Sequence, residues 1–124
     1  MSIISKVKKH IRSYKAAFSG LNIAFNHELN FQIELILTLL ALALSFFFQI
    51  TKLEWVIVIF CIGITLSAEL MNTSIETLSE LKRFHEVIRK IKDLAAAAVL
   101  AVAVMDIILG VIIFTPYIID FLNL

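Results

Sequence analysis

A chain of 124 residues that is 60% hydrophobic, with three glycines and one proline, is not an ordinary soluble domain. Its mean hydropathy is +0.96, and a formal net charge of +1 offers no basic surface to a nucleic acid. The length allows one domain, read here as residues 1–124, and the scarcity of turn residues makes it all helix.

In chain order, residues 1–30 come first. Ile4, Val7, Ile11, Tyr14, Phe18, Leu21 and Phe25 recur every three or four positions, with Lys6, Lys9 and Lys15 off that seam. The pattern predicts an amphipathic surface helix lying in the headgroup plane, its cations toward anionic lipid. The same face also suits packing on the protein's own core. Gly20 is a candidate bend point, and no early apolar run ending in a small-residue cleavage site suggests a removable leader.

Three apolar stretches follow, at 35–50, 55–75 and 94–119. Each is read as a transmembrane helix, because a soluble bundle would show polar faces that these lack. Residues 51–54 read as a tight turn joining antiparallel neighbours, and Trp55 opens the second span at an interface. Cys61 has no partner for a disulfide or a metal and reads as a small apolar filler. Ala95, Ala96, Ala97 and Ala98 favour close helix packing in the third span.

The cations set an orientation. Lys6, Lys8, Lys9, Arg12 and Lys15 precede the first span, and Lys82, Arg83, Arg89, Lys90 and Lys92 lie between the second and third; Lys52 alone falls in the other turn. The expectation is a multi-pass protein of the cytoplasmic (inner) membrane, with its N-terminus cytoplasmic and its C-terminus external.

Along the second span Glu69, Asn72, Glu76 and Glu80 are spaced three, four and four, and so share roughly a quarter-turn of one helix. Carboxylates beside hydrocarbon are costly, so such a row marks a site. Glu69 lies ~21 Å beyond Trp55 along the helix, near the cytoplasmic headgroups, with Glu76 ~10 Å further toward the cytosol. This geometry suits a reaction between a lipid hydroxyl and a water-soluble donor.

Partial desolvation of Glu69 suits a general base for a hydroxyl proton, the alternative being a glutamate bonded to a neighbouring helix. Glu28 and Glu76 are the natural pair for Mg²⁺, which takes one or two carboxylates plus phosphate oxygens; a solvated Glu28 is the alternative. Asn72 either orients a hydroxyl or carboxylate, or bridges two helices. Lys92 can offset phosphate charge or only fix topology, and Asp93 can cap the third helix or hold a ribose or metal. His85 has no metal-ligand spacing and reads as solvated. Asp106, near the bilayer centre, has no partner evident in the sequence and reads as packed against another helix.

Two ordered blocks, Glu69-Leu70-Met71-Asn72-Thr73-Ser74-Ile75-Glu76 and Lys92-Asp93-Leu94-Ala95-Ala96-Ala97-Ala98-Val99, resemble the signature of the small prokaryotic diacylglycerol kinase family. The segments from Arg12 to Gly20 and from Glu28 to Ile33 are similar to its N-terminal block, so the resemblance runs over residues 12–118. It implies a homotrimeric membrane lipid kinase of three spans plus a surface helix, with MgATP as donor and a membrane lipid alcohol as acceptor. It implies Glu69 as proton acceptor, Asn72 in the active site, Glu28 and Glu76 on Mg²⁺, and Lys92 and Asp93 on ATP. His85, with Phe84, falls where the family's loop touches the nucleotide. Glu80 stands where the family usually has Asp, retaining a carboxylate toward the nucleotide, and Gln32 stands where a basic residue is common. The 28–33 block is more similar to the branch that includes undecaprenol kinases. The rival readings are a small oligomeric channel, which would spread acids through the full depth of the bilayer, and a non-catalytic membrane adaptor.

Overall fold

The computed structural model describes residues 2–82 and 85–124. Arg83 and Phe84, named above for topology and nucleotide contact, lie outside the described residues. The described residues form four α-helices, α1 (Ile3–His27), α2 (Leu29–Phe47), α3 (Lys52–Ser79) and α4 (Glu86–Phe121), with a 3-10 turn at Glu80–Lys82. Three of them, α2, α3 and α4, are long and apolar enough to cross a membrane.

The three long apolar helices all start before the stretches that announced them, at Leu29, Lys52 and Glu86 rather than at 35, 55 and 94, whereas α2 ends at Phe47, inside the expected 50. The turn between α2 and α3 falls at 48–51, ahead of the expected 51–54. Thr51 and Glu54 instead form a capping box: the Thr51 hydroxyl accepts from the Glu54 amide at 3.3 Å and the Glu54 carboxylate from the Thr51 amide at 2.9 Å. α2 ends in a Schellman turn, with Gln49 at φ 49° and the Ile50 and Gln49 amides donating to the Ser45 and Phe46 carbonyls. Ile50 is thereby folded into a small core with Val58 and Ile113, edged by Phe48, Trp55 and Tyr117.

The bend between the first two helices sits at Glu28, not at Gly20, which lies inside α1. Glu28 is extended (φ −109°, ψ 107°) and serves both helices: its amide donates to the Ala24 carbonyl at 3.0 Å, and its carbonyl accepts from the Gln32 amide at 3.0 Å. The Gln32 side chain donates back to the Phe25 carbonyl at 2.9 Å, satisfying an acceptor that the break leaves over.

α4 starts eight residues before the expected 94. The His85 ring accepts from the Val87 amide at 3.2 Å and caps it, so Asp93, two turns inside, cannot be its cap as entertained from sequence. α3 is the central helix, with α2 and α4 packed on it. The two flanking helices meet beside the α2–α3 turn, where the Phe48 ring lies 5.9 Å from Tyr117 and 6.3 Å from Phe121.

Candidate active site

α3 carries the site, because its helical period brings Glu69, Asn72 and Glu76 to the face that meets α2 and the α1–α2 junction. Glu69 and Asn72 are 3% and 5% exposed in a chain whose outer surface is largely apolar, whereas Glu76 is half-buried. Four carboxylates converge there: the charges of Glu34, Glu76 and Glu28 all act on Glu69, and Asn30 lies within hydrogen-bonding reach of its side chain. Asn30 and Glu34, four apart, share one face of α2 and supply the second wall.

The Asn72 side-chain amide donates to Glu76 Oε1 at 3.0 Å, fixing which way the amide points. Its carbonyl oxygen Oδ1 is buried with no hydrogen-bond partner among the described residues. A buried acceptor left open is costly unless a ligand, ion or water completes it. Convergent negative charge and an open oxygen both ask for a cation or a donor, and a set made only of oxygens suits a hard divalent ion. Among the described residues no group of three or more His, Cys, Asp or Glu could hold a metal by protein ligands alone.

The other residues singled out from sequence are not gathered into this cluster. Glu80 is exposed just past the end of α3, His85 is the exposed cap of α4, and Lys92 and Asp93 are exposed on the first turns of α4. Sequence reasoning gave Glu34 and Asn30 no role. Their spacing of four was the available signal, but their apposition to Glu69 depends on how α2 crosses α3.

Asp106, without a partner in the sequence reading, is held by α3. The Thr65 hydroxyl contacts both Asp106 Oδ2 and, at 2.7 Å, the Cys61 carbonyl. Asp106 Oδ1 is, like Asn72 Oδ1, a buried oxygen with no partner among the described residues.

The family described as prokaryotic diacylglycerol kinase matches residues 15–114. The chain is 32% identical over 114 residues to the undecaprenol kinase of Bacillus subtilis, covering 90% of this chain and 93% of that protein. It is 32% identical over 107 residues to the diacylglycerol kinase of Haemophilus influenzae, covering 84% and 91%. It is 34% identical over 98 residues to the diacylglycerol kinase of Helicobacter pylori, covering 75% and 77%. These matches favour neither a channel nor an adaptor. With the family matched from α1 to α4 and three helices fit to cross a bilayer, the chain belongs to the prokaryotic diacylglycerol kinase family and is a membrane-embedded lipid kinase.

Proposed function

We propose that the chain transfers the γ-phosphoryl group of ATP to the hydroxyl of a membrane lipid alcohol, diacylglycerol or undecaprenol, at the cytoplasmic leaflet. The observation that carries this is the buried Glu69 carboxylate on a membrane helix, facing Glu28, Glu34 and Glu76 beside the open oxygen of Asn72. An apolar alcohol reaches that point from the bilayer, and a nucleotide reaches it from water past Glu76 and Glu80.

Glu69 takes the hydroxyl proton as the lipid oxygen bonds to the γ-phosphorus. The bond from that phosphorus to the β–γ bridging oxygen breaks, and ADP leaves. Little covalent work falls to the protein, so rate comes from positioning and electrostatics. Asn72 holds Glu76 in one orientation and leaves its own oxygen for the incoming hydroxyl or for water. Glu28 and Glu76 are the residues that would hold Mg²⁺, completed by phosphate oxygens. The bound ion would offset charge on the phosphates. Lys92, Asp93, Glu80 and His85 are exposed and free to meet the nucleotide; Lys92 brings the positive charge that the acidic cluster lacks.

The ten-to-one division of cations supports a cytoplasmic α1 end and α3–α4 connection and an external C-terminus. α1 lies along the inner surface of the cytoplasmic membrane as an amphipathic helix, with Ile4, Val7, Ile11 and Phe18, all exposed in the single chain, turned into lipid. The whole of 1–124 works as one catalytic domain, assembled as a homotrimer.

The deciding experiment offers γ-labelled ATP, Mg²⁺, diacylglycerol and undecaprenol together to the purified protein in mixed micelles. A labelled lipid phosphate is the expected product, and its chromatographic mobility names the acceptor. ATP consumption without any lipid product would remove the proposal.

A further inference from the structure

The hydrogen bonds where α1 meets α2 sort by helix. The Glu28 amide donates to the Ala24 carbonyl at 3.0 Å and ties the peptide before Glu28 to α1; the Glu28 carbonyl accepts from the Gln32 amide at 3.0 Å and ties the peptide after it to α2. Neither bond spans the two torsions between those peptides, φ −109° and ψ 107°, and these set how α1 leans on α2. Ala24 and Phe31 are buried on either side of the junction, but apolar burial is non-directional and leaves an angle loosely held.

Among the described residues a single hydrogen bond joins α2 directly to α1. Gln32 Nε2 donates to the Phe25 carbonyl at 2.9 Å, across seven positions of sequence. In an unbroken helix that carbonyl would accept from the Leu29 amide; here Leu29 opens α2, and the Gln32 side chain takes its place. The carbonyl can only accept, so the nitrogen end of the Gln32 amide is the one that serves. The same elbow carries Glu28, half-buried, whose charge acts on Glu69 together with that of Glu76. The Glu28 side chain leaves the Cα on which both torsions turn, so any rotation that breaks the Gln32 bond also swings the carboxylate.

We infer that Gln32 is a positioning residue for phosphoryl transfer: by clamping α1 to α2 across Glu28 it aims the Glu28 carboxylate toward Glu76 and so sets the affinity for the divalent ion. The inference rests on the reading in which Glu28 and Glu76 hold that ion. Gln32 itself touches neither ion nor substrate.

The test measures binding without turnover. Mn²⁺, which takes the same oxygen ligands as Mg²⁺, is titrated with β,γ-methylene ATP into the purified protein in mixed micelles, and the relaxation of water protons reports the ion joining the slowly tumbling protein. Gln32→Met keeps an unbranched side chain of similar length without a donor, and is expected to weaken Mn²⁺ binding about tenfold. Gln32→Arg, which restores N–H donors, is expected to bind within about threefold of the parent. Glu28→Gln should weaken binding at least as much as Gln32→Met. With Mg²⁺ and ATP, the Mg²⁺ concentration for half-maximal activity should rise in Gln32→Met while the KM for the lipid stays unchanged. Parent-like affinity in Gln32→Met beside weakened binding in Glu28→Gln overturns the inference alone. Gln32→Arg binding as weakly as Gln32→Met overturns it too, because a donor to the Phe25 carbonyl would not be what matters. So does a fall in the number of sites with their affinity unchanged, the mark of a merely structural clamp. Parent-like affinity in Glu28→Gln removes the inference together with the metal role of Glu28 beneath it.

Discussion

Glutamine at position 69 keeps the size of the side chain and a hydrogen-bonding oxygen within reach of Asn30, but it cannot accept a proton. Burial among Glu28, Glu34 and Glu76 already crowds that point with negative charge, so losing one carboxylate there does not threaten packing. Glu69→Gln is therefore expected to elute and melt like the parent while its turnover falls by about 10²–10⁴. Near-normal turnover would remove Glu69 as the base. Position 76 separates differently. In Glu76→Gln the side-chain oxygen still accepts from Asn72, so the local geometry survives and the charge does not. The Mg²⁺ concentration for half-maximal activity should rise about tenfold or more, with much of kcat recovered at saturation; an unchanged titration would clear Glu76 of metal binding. The stripe of Glu69, Asn72 and Glu76 was legible because a single helical period fixes it. The convergence of Glu34 and Asn30 on Glu69 was not, and neither was the pairing of Thr65 with Asp106 across 41 positions, because both depend on helix crossing and register.

At the scale of elements the ends of helices carry the lesson. Hydropathy located all three spans but set each start too late, since the first turns of these helices carry polar residues outside the apolar run, while α2 stops at Phe47, inside the expected 50. Thr51 followed three residues later by Glu54 is a capping-box pattern present in the sequence, and it moves the start of α3 to Lys52. The same glutamate receives the Tyr117 hydroxyl from α4, so the cap also fastens α3 to its neighbour. Thr51→Ala removes the acceptor for the Glu54 amide and is expected to cost about 1 kcal/mol, lowering the thermal-inactivation temperature in detergent by a few degrees with specific activity unchanged. Tyr117→Phe should lower it as well, and the double variant should show less than the sum because both act through Glu54. Strict additivity would mean the cap and the inter-helix bond are independent. His85 illustrates a residue whose place was readable and whose local work was not. Its ring caps α4, an arrangement set by backbone geometry that no ligand-spacing pattern announces.

For the molecule as a whole, the small core beside the α2–α3 turn and the acidic cluster beside Glu28 lie at opposite ends of the bundle. Aromatic packing closes one end around Phe48, Phe114 and Tyr117, while buried side-chain oxygens of Asp106 and Asn72 that have no partner among the described residues stand along the path to the other. A kinase that joins a lipid to a nucleotide needs this polarity: a fixed end to hold the helices in register and an accessible end where water meets hydrocarbon. Which end faces the cytosol then decides whether ATP can reach Glu76 at all, and the cation asymmetry predicts the sense. Replacing the single cysteine, Cys61→Ser, gives a background in which a cysteine at Ser2 or at Leu124 reports its own side of the membrane. In intact spheroplasts a membrane-impermeant maleimide is expected to label Leu124→Cys and spare Ser2→Cys until the cells are lysed. The reverse pattern would place Glu69, Glu76 and Lys92 on the side without ATP, and the phosphoryl-transfer scheme would fail however well its carboxylates are arranged.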